Sequence, residues 1–166
     1  PGGRMAIVLP DGIFGNPSSK YVVQFILREA KILAIVSLPP EAFLPSTHTK
    51  TSVLFLEKKT SDTEEDYEIF MAIANKIGHD KNGKIAYRMN ERGEYVLDKN
   101  GSNRVIDDDL LNITEKYKLF KENKLNYYDH FGFIIKLSEI DNSTLIPSYY
   151  NPEIEEKLAK MKQSGE

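Results

Sequence analysis

Several residues in this chain have the chemical types to act on a ligand, and each has an ordinary structural alternative. Asp11 follows a short apolar run, residues 5–9, and closes it in Pro10-Asp11-Gly12. Ligands of open α/β sheets gather outside the carboxyl ends of strands, so Pro10 and Asp11 are placed to line a cleft; the alternative is a plain turn aspartate. Lys50, together with Lys58, Lys59, Lys20 and Arg28, offers cations to phosphate, or else belongs to a solvated face. Asp107-Asp108-Asp109 could gather a cation, but acids ahead of an apolar-periodic run also cap a helix and complement its dipole. Phe43, in Glu41-Ala42-Phe43-Leu44-Pro45, is either core packing or an exposed loop anchor. His48, His79 and His130 are scattered without a partner at metal-ligand spacing, so no metal site is expected. The absence of cysteine removes disulfides, thiolate zinc sites and a cysteine nucleophile.

The elements that must position these groups can be read from periodicity. At 166 residues and 40% hydrophobic content the chain can build a core. No apolar run approaches the roughly 20 residues of a membrane span, and no secretory pattern opens the chain, so a cytoplasmic setting is expected. A net charge of −3 and a pI near 5.7 argue against a uniformly basic surface; contact with DNA would have to be local or shared with a partner. Residues 5–9 read as a buried strand. Pro1-Gly2-Gly3-Arg4 runs straight into it, which suggests a piece cut from a longer protein, since such strands normally pair on both sides. Asn16-Pro17 is a good helix start, with a helix predicted to about Ala30 and an apolar face of Val22, Phe25, Ile26 and Ala30. Residues 32–38 and 51–57 are two more strands, the first stopped by Pro39-Pro40.

Residues 58–66 form a charged loop and a plausible subdomain boundary. Residues 67–74 fit a helix or a strand; the strand, pairing back on 51–57, is favoured. Asp80-Lys81-Asn82-Gly83, Asn90-Glu91-Arg92-Gly93 and Asp98-Lys99-Asn100-Gly101 are turn signals and predict a solvent-exposed hairpin. A helix follows the acid triplet, with Leu110, Leu111, Ile113, Tyr117 and Phe120 on its inner face and its end near Asn123. Residues 131–137 are a strand candidate, 147–152 are extended, and 152–162 are a short charged helix.

The first of these segments carry a resemblance. Gly2-Gly3-Arg4-Met5-Ala6-Ile7-Val8-Leu9-Pro10-Asp11-Gly12, then Ile35-Val36-Ser37-Leu38-Pro39, Phe43, and Thr49-Lys50-Thr51-Ser52-Val53-Leu54-Phe55-Leu56 are similar, in order and spacing, to the late strands of the N6-adenine DNA methyltransferases of Type I and related restriction-modification systems. Lys76-Ile77-Gly78-His79-Asp80 and Asp107-Asp108-Asp109-Leu110 resemble that family's tail, and Ser148-Tyr149-Tyr150-Asn151-Pro152 resembles the lead into a target-recognition segment. The resemblance implies an α/β fold: residues 1–60 as the C-terminal half of a Rossmann-like methyltransferase sheet, and residues 61–166 as a small α+β extension leading toward a recognition or partner-docking segment. It further implies a parent enzyme that transfers a methyl group from S-adenosylmethionine to adenine N6 in DNA, in company with specificity and restriction subunits or domains.

Two family motifs are missing: the Gly-rich donor turn and the Asn-Pro-Pro-aromatic grip on the adenine amino group. Asn16-Pro17-Ser18 and Asn151-Pro152-Glu153 lack the second proline and the aromatic, and read as a helix cap and a turn. The fragment alone is therefore expected to be inactive and to bind no S-adenosylmethionine, and no catalytic residue is assigned. What the resemblance leaves is a wall of the site. A methylase must extrude its base from the duplex and hold it against an aromatic face. Phe43 holds the family's base-stacking position, with Pro10 and Asp11 lining the cleft and Lys50 near phosphate. Tyr149 and Tyr150 would pack against a recognition domain or simply within the tail. A non-catalytic module that docks a specificity or endonuclease partner is the rival expectation, and an exposed sheet edge invites a homodimer. An unrelated α/β domain would set the first strand at a sheet edge facing solvent.

Overall fold

The computed structural model describes residues 2–60, 66–141, 144–154 and 161. Its centre is a six-stranded sheet in the order β1-β3-β2-β4-β6-β5. The strands are β1 (Arg4–Pro10), β2 (Ala30–Ser37), β3 (Thr51–Lys58), β4 (Glu68–Ile73), β5 (Tyr128–Asp129) and β6 (Gly132–Lys136). β3 inserts antiparallel between β1 and β2, so those two run parallel and need a crossover, and α1 (Asp11–Gly15) and α2 (Lys20–Glu29) supply it. β4 lies parallel to β2, and β6 returns antiparallel to β4.

The period-two alternation of each strand divides the core between two faces. Ile35, Leu54, Leu56, Ile69 and Met71 point toward α1 and α2, where Phe14, Val23 and Ile26 close a cluster with Leu145 from the tail. Ala34, Val36, Phe70 and Ala72 point the other way, against Ile113 of α3 (Leu110–Lys121), with Tyr117 and Phe120 packed beside them. Phe70 is wholly buried and meets Tyr117 edge to face at 5.5 Å and Phe120 at 5.8 Å. Such aromatic contacts add about 0.5–1.5 kcal/mol beyond burial.

Strands occur where periodicity predicts them at 32–38, 51–57 and 131–137, and residues 67–74 do form a strand. Its partner differs from the expected one: β4 pairs with β2 and β6, because β1 and β2 already occupy both edges of β3. β1 is not the doubly buried strand its composition suggests but the sheet's edge strand, with Met5 and Val8 about half exposed. Its apolar composition reflects one covered face, where Ile7 and Leu9 pack, rather than two. The predicted helix is split: Asn16 caps a 3-10 turn at Pro17–Ser19 before α2 begins. Val23 and Ile26 face the core with Val22, Leu27 and Ala30 packed beside them, and Phe25 lies outside that stripe and is exposed. In α3, Leu111 is 72% exposed and belongs to the outer face, while Ile113 anchors the inner one. Pro147–Tyr149 forms a 3-10 turn rather than an extended segment. Residues 152–154 open a helix, whereas residues 155–160 and 162, like 61–65 of the charged loop, lie outside the described residues.

Between β4 and α3 the chain leaves the sheet. Residues 76–108 make a ribbon joined by single bridges, His79 with Ile85, Tyr87 with Ile106, Met89 with Tyr95, and Leu97 with Arg104. All three predicted turns are present with one geometry: Asp80, Asn90 and Asp98 each accept two backbone N–H groups through Oδ1, and Gly83, Gly93 and Gly101 each take positive φ. The acid triplet closes the ribbon's base. Asp108 accepts from Leu110 N–H at 2.7 Å and so does cap α3, but Asp109 is buried and accepts from Asn75 and Lys76 N–H, both at 2.9 Å, while Asp107 pairs with Lys76 at 2.7 Å.

Candidate functional site

The residues that could act on a ligand converge where β1 and β2 end and β3 begins. Asp11 is locked there from three directions. Its N–H donates to the Lys50 carbonyl at 2.9 Å, its Oδ1 accepts from Ser52 Oγ at 2.7 Å, and Lys50 Nζ stands 3.7 Å from Oδ2. Its side chain keeps only 14% of its exposure, so it is a fixed acceptor at the rim rather than a loose turn aspartate. Lys50 is more open, at 44%, and reaches solvent while answering the carboxylate.

Register puts hydroxyls beside this pair. Ser52 lies opposite Leu9 on one side and Ser37 on the other, all on the face that carries Leu54 and Ile35. Ser37 and Thr51 are buried, and neither hydroxyl has a partner among the described residues. An unmade hydrogen bond of this kind costs about 1–3 kcal/mol. Both groups lie at the ends of neighbouring strands, beside Asp11 and Ser52. Sequence reading missed Ser37, Thr51 and Ser52; the available signal was a serine or threonine at the end of one apolar strand and at the start of another.

Phe43 comes to the same end of the sheet by a different route. The chain leaves β2 through Leu38 and Pro39, makes a 3-10 turn at Pro40–Phe43, and returns to β3 after Thr47 N–H donates to the Phe43 carbonyl at 3.0 Å. Ala42 packs into the α3-side cluster, while the Phe43 ring is 39% exposed. Of the two ordinary alternatives, core packing is thereby excluded and an exposed aromatic remains.

The decoys resolve as caps. Asn16 Oδ1 accepts from Ser18 N–H and Oγ, and Asn151 Oδ1 accepts from Glu153 N–H. The Tyr150 hydroxyl donates to the Thr144 carbonyl at 2.9 Å and accepts from Asp141 N–H, so it holds the tail; Tyr149 is exposed. The described residues do not fit a methyl donor. β1 runs directly into α1, β2 runs into a proline-led turn, and apart from Gly2 the glycines with positive φ sit in or beside the ribbon turns. A donor cradle would instead need glycines at a strand-to-helix turn.

The chain thus folds as an α/β sheet with antiparallel β3 inserted between two parallel strands and polar groups collected at their ends. The N-6 DNA Methylase family matches residues 1–158, and this chain belongs to that family. Among solved structures, it is similar to a chain of a type I R-M system described for its complex assembly and conformational transition, with a TM-score of 0.51 and 16% identity over 99% of this chain. It is also similar to the methyltransferase subunit of the type I restriction-modification system from Streptococcus thermophilus, with a TM-score of 0.51 and 23% identity over 87% of this chain. It spans 33% of the first of those chains and 26% of the second. No curated protein matches it at a significant level. The edge position of β1, expected of an unrelated domain, thus occurs in a member of the family. Among the described residues, no helix is long and apolar enough to cross a membrane.

Proposed function

We propose that this chain forms one wall of the base-binding cleft in a DNA adenine-N6 methyltransferase of a restriction-modification system, a cytoplasmic enzyme that takes its methyl group from S-adenosylmethionine. Phe43 stacks on the extruded adenine, Pro10 and Asp11 line the cleft, and Lys50 contacts a nearby phosphate. Residues 1–60 are the later half of the methyltransferase fold, and residues 61–166 extend it toward specificity and restriction partners. The observation that carries the reading is the exposed Phe43 ring on a turn that its own hydrogen bond and Ala42 hold in place beside the strand ends. An aromatic left 39% exposed at such a rim offers a stacking face at little ordering cost.

The rest of the machine must come from elsewhere, because the donor cradle and the Asn-Pro-Pro-aromatic motif are not in this sequence. β1 supports that division of labour: among the described residues its outer edge is unpaired, and its side chains are mostly apolar, which suits a strand that continues the sheet into a cognate segment. In the chain alone the same edge favours a homodimer.

Transfer of labelled methyl from S-adenosylmethionine to mixed DNA tests the proposal, with the chain alone and then with the cognate segment bearing both missing motifs. The chain alone should be inactive and the combination active. Phe43→Ala should then reduce methylation about 5- to 150-fold while assembly survives, since stacking contributes about 1–3 kcal/mol per base. Loss of assembly with Phe43→Ala, or no transfer with both parts folded, would move the assignment to a docking module.

A further inference from the structure

We infer that the ribbon at residues 76–108 is a DNA-contacting arm, set apart from the base-binding rim. The inference rests on the DNA-methyltransferase reading only for the identity of the nucleic acid. No residue from 76 to 108 is buried, so the ribbon does not serve as core. It does have an ordered face. Bridged residues share a side of a ribbon, and so do residues two apart on a strand. Following the bridges, Ile85, Tyr87, Met89, Tyr95, Leu97 and Ile106 fall on one side, together with Arg104. Ring contacts agree: Tyr87 and Tyr95 meet edge to face at 5.9 Å, and the Arg104 guanidinium lies 4.0 Å from the Tyr95 ring centre and 5.7 Å from that of Tyr87. Ile85, Met89, Leu97 and Ile106 are each about half exposed, an apolar patch of the kind that marks an interaction site.

Charge decides what the face takes. The chain carries −3 overall, and the ribbon holds seven lysines and arginines against six acids, of which Asp107 pairs with Lys76 and Asp80 is tied into its turn; the stretch 81–104, which carries the turn tips, holds six against three. The acids are largely occupied: Asp98 is tied into its turn and to Asn103, and Glu94 accepts from Asn90. Among the described residues, Lys81, Arg92, Lys99 and Arg104 form no ion pair, and the first three stand at the turn tips. Arg104 is held by its aromatic neighbours with its N–H groups unspent, ready for phosphate or the O6/N7 edge of guanine. In the major groove, apolar side chains of such a face meet thymine methyl groups. Unpaired cations at the tips and a stacked arginine on an apolar face suit a DNA duplex better than a protein surface, which would have to be acidic as well as apolar.

Fluorescence anisotropy of this chain with a labelled duplex between 50 and 200 mM salt is the test. The triple variant Lys81→Gln, Arg92→Gln, Lys99→Gln should flatten the log–log salt dependence by about 0.9 for each phosphate that is no longer neutralised, and weaken binding at low salt at least 10-fold. A control triple, Lys118→Gln, Lys121→Gln, Lys136→Gln, removes the same charge from α3 and the end of β6 and should change little. Arg104→Lys should weaken binding with the slope retained, because charge survives and the planar donor set does not. All six glutamine positions are exposed, so circular dichroism should show folded proteins. The inference is overturned if the two triples behave alike, if the chain binds no duplex at 50 mM salt, or if the ribbon triple binds DNA normally but loses affinity for the cognate segment, which would make the ribbon a protein-docking arm. Methyl transfer is read separately: ribbon-dependent DNA binding without any transfer in the complemented enzyme would sink the catalytic reading and leave the arm standing.

Discussion

The pair formed by Ser52 and Asp11 gives a sharp test of whether the rim is built or incidental. Ser52 is wholly buried and donates to Asp11 Oδ1 at 2.7 Å. Hydrogen bonds to charged groups contribute about 1.5–3 kcal/mol. Asp11 retains 14% side-chain exposure and has Lys50 at 3.7 Å, so some of the loss in Ser52→Ala is made up by water and the ammonium, which sets the expected cost at about 1.5 kcal/mol. Asp11→Ala acts differently: it orphans a third hydroxyl where Ser37 and Thr51 already lack partners, at about 1–3 kcal/mol. Both single changes break one bond, so the double variant should cost less than their sum by about 1–2 kcal/mol, well outside the roughly 0.3–0.5 kcal/mol scatter of independent sites. Urea unfolding of the four proteins measures this directly, and Ser52→Thr should recover part of the loss by restoring the hydroxyl. Additivity of the two single changes would refute the argument and return Asp11 to a turn residue with no fixed orientation.

Three further outcomes follow from the packing and the surface. Gly132→Ala drives a Cβ into Phe70 Cε2 and Cζ, so overpacking should lower stability by about 1–3 kcal/mol, with partial recovery in Phe70→Leu; an unchanged Tm would contradict the packing. Hydrogen bonding from Lys58, then from Arg28, holds the Glu29 carboxyl at about 2, below its ordinary 4.5. A depressed folded-state value means that this contribution is complete above about 4.5 and is lost as pH falls toward 2, so Glu29→Gln should make the decline in stability across that window shallower, as followed by acid unfolding. Tyr150→Phe removes a bridge between the Thr144 carbonyl and Asp141 N–H and should cost about 1–2 kcal/mol in urea unfolding while leaving complemented methyl transfer unchanged.

The legibility of the chain varies with the range of the interaction. Strands declared by continuous apolar runs are visible because burial on one or both faces leaves a local record, as at residues 32–38 and 51–57. Turns are visible for the same reason: a side chain that accepts its own downstream N–H groups and a glycine at positive φ are local chemistry, and all three ribbon turns obey it. Partnership is not local. Nothing in residues 67–74 says that β4 joins β2 rather than β3, since that depends on β1 having taken the other edge of β3. The site divides similarly. Phe43, Pro10, Asp11 and Lys50 stand out by position and resemblance, but the row of hydroxyls exists only in register, where Ser37 and Ser52 meet across strands separated by a helix-like turn and a loop. The acid triplet shows the limit from the other side, because only its middle member caps α3, while Asp109 turns inward to the ribbon's base.

That register also fixes how a base could be received. Asp11, Ser52 and Ser37 lie on the face shared with α1 and α2, whereas Thr51 and the turn bearing Phe43, through Ala42, lie toward α3. The fixed carboxylate and the turn that carries the aromatic are thus packed on opposite sides of the strand ends. On the proposed reading, a planar ligand held by both would lie across the strand ends. The Ser37 and Thr51 hydroxyls, without partners among the described residues, belong to that rim. If the cognate segment or a bound base supplies their missing partners, the rim should gain hydrogen-exchange protection at residues 37 and 51–52 on assembly while β5 and β6 change little; protection gained evenly over the whole sheet would mean that the segment stabilises the fold without completing a site.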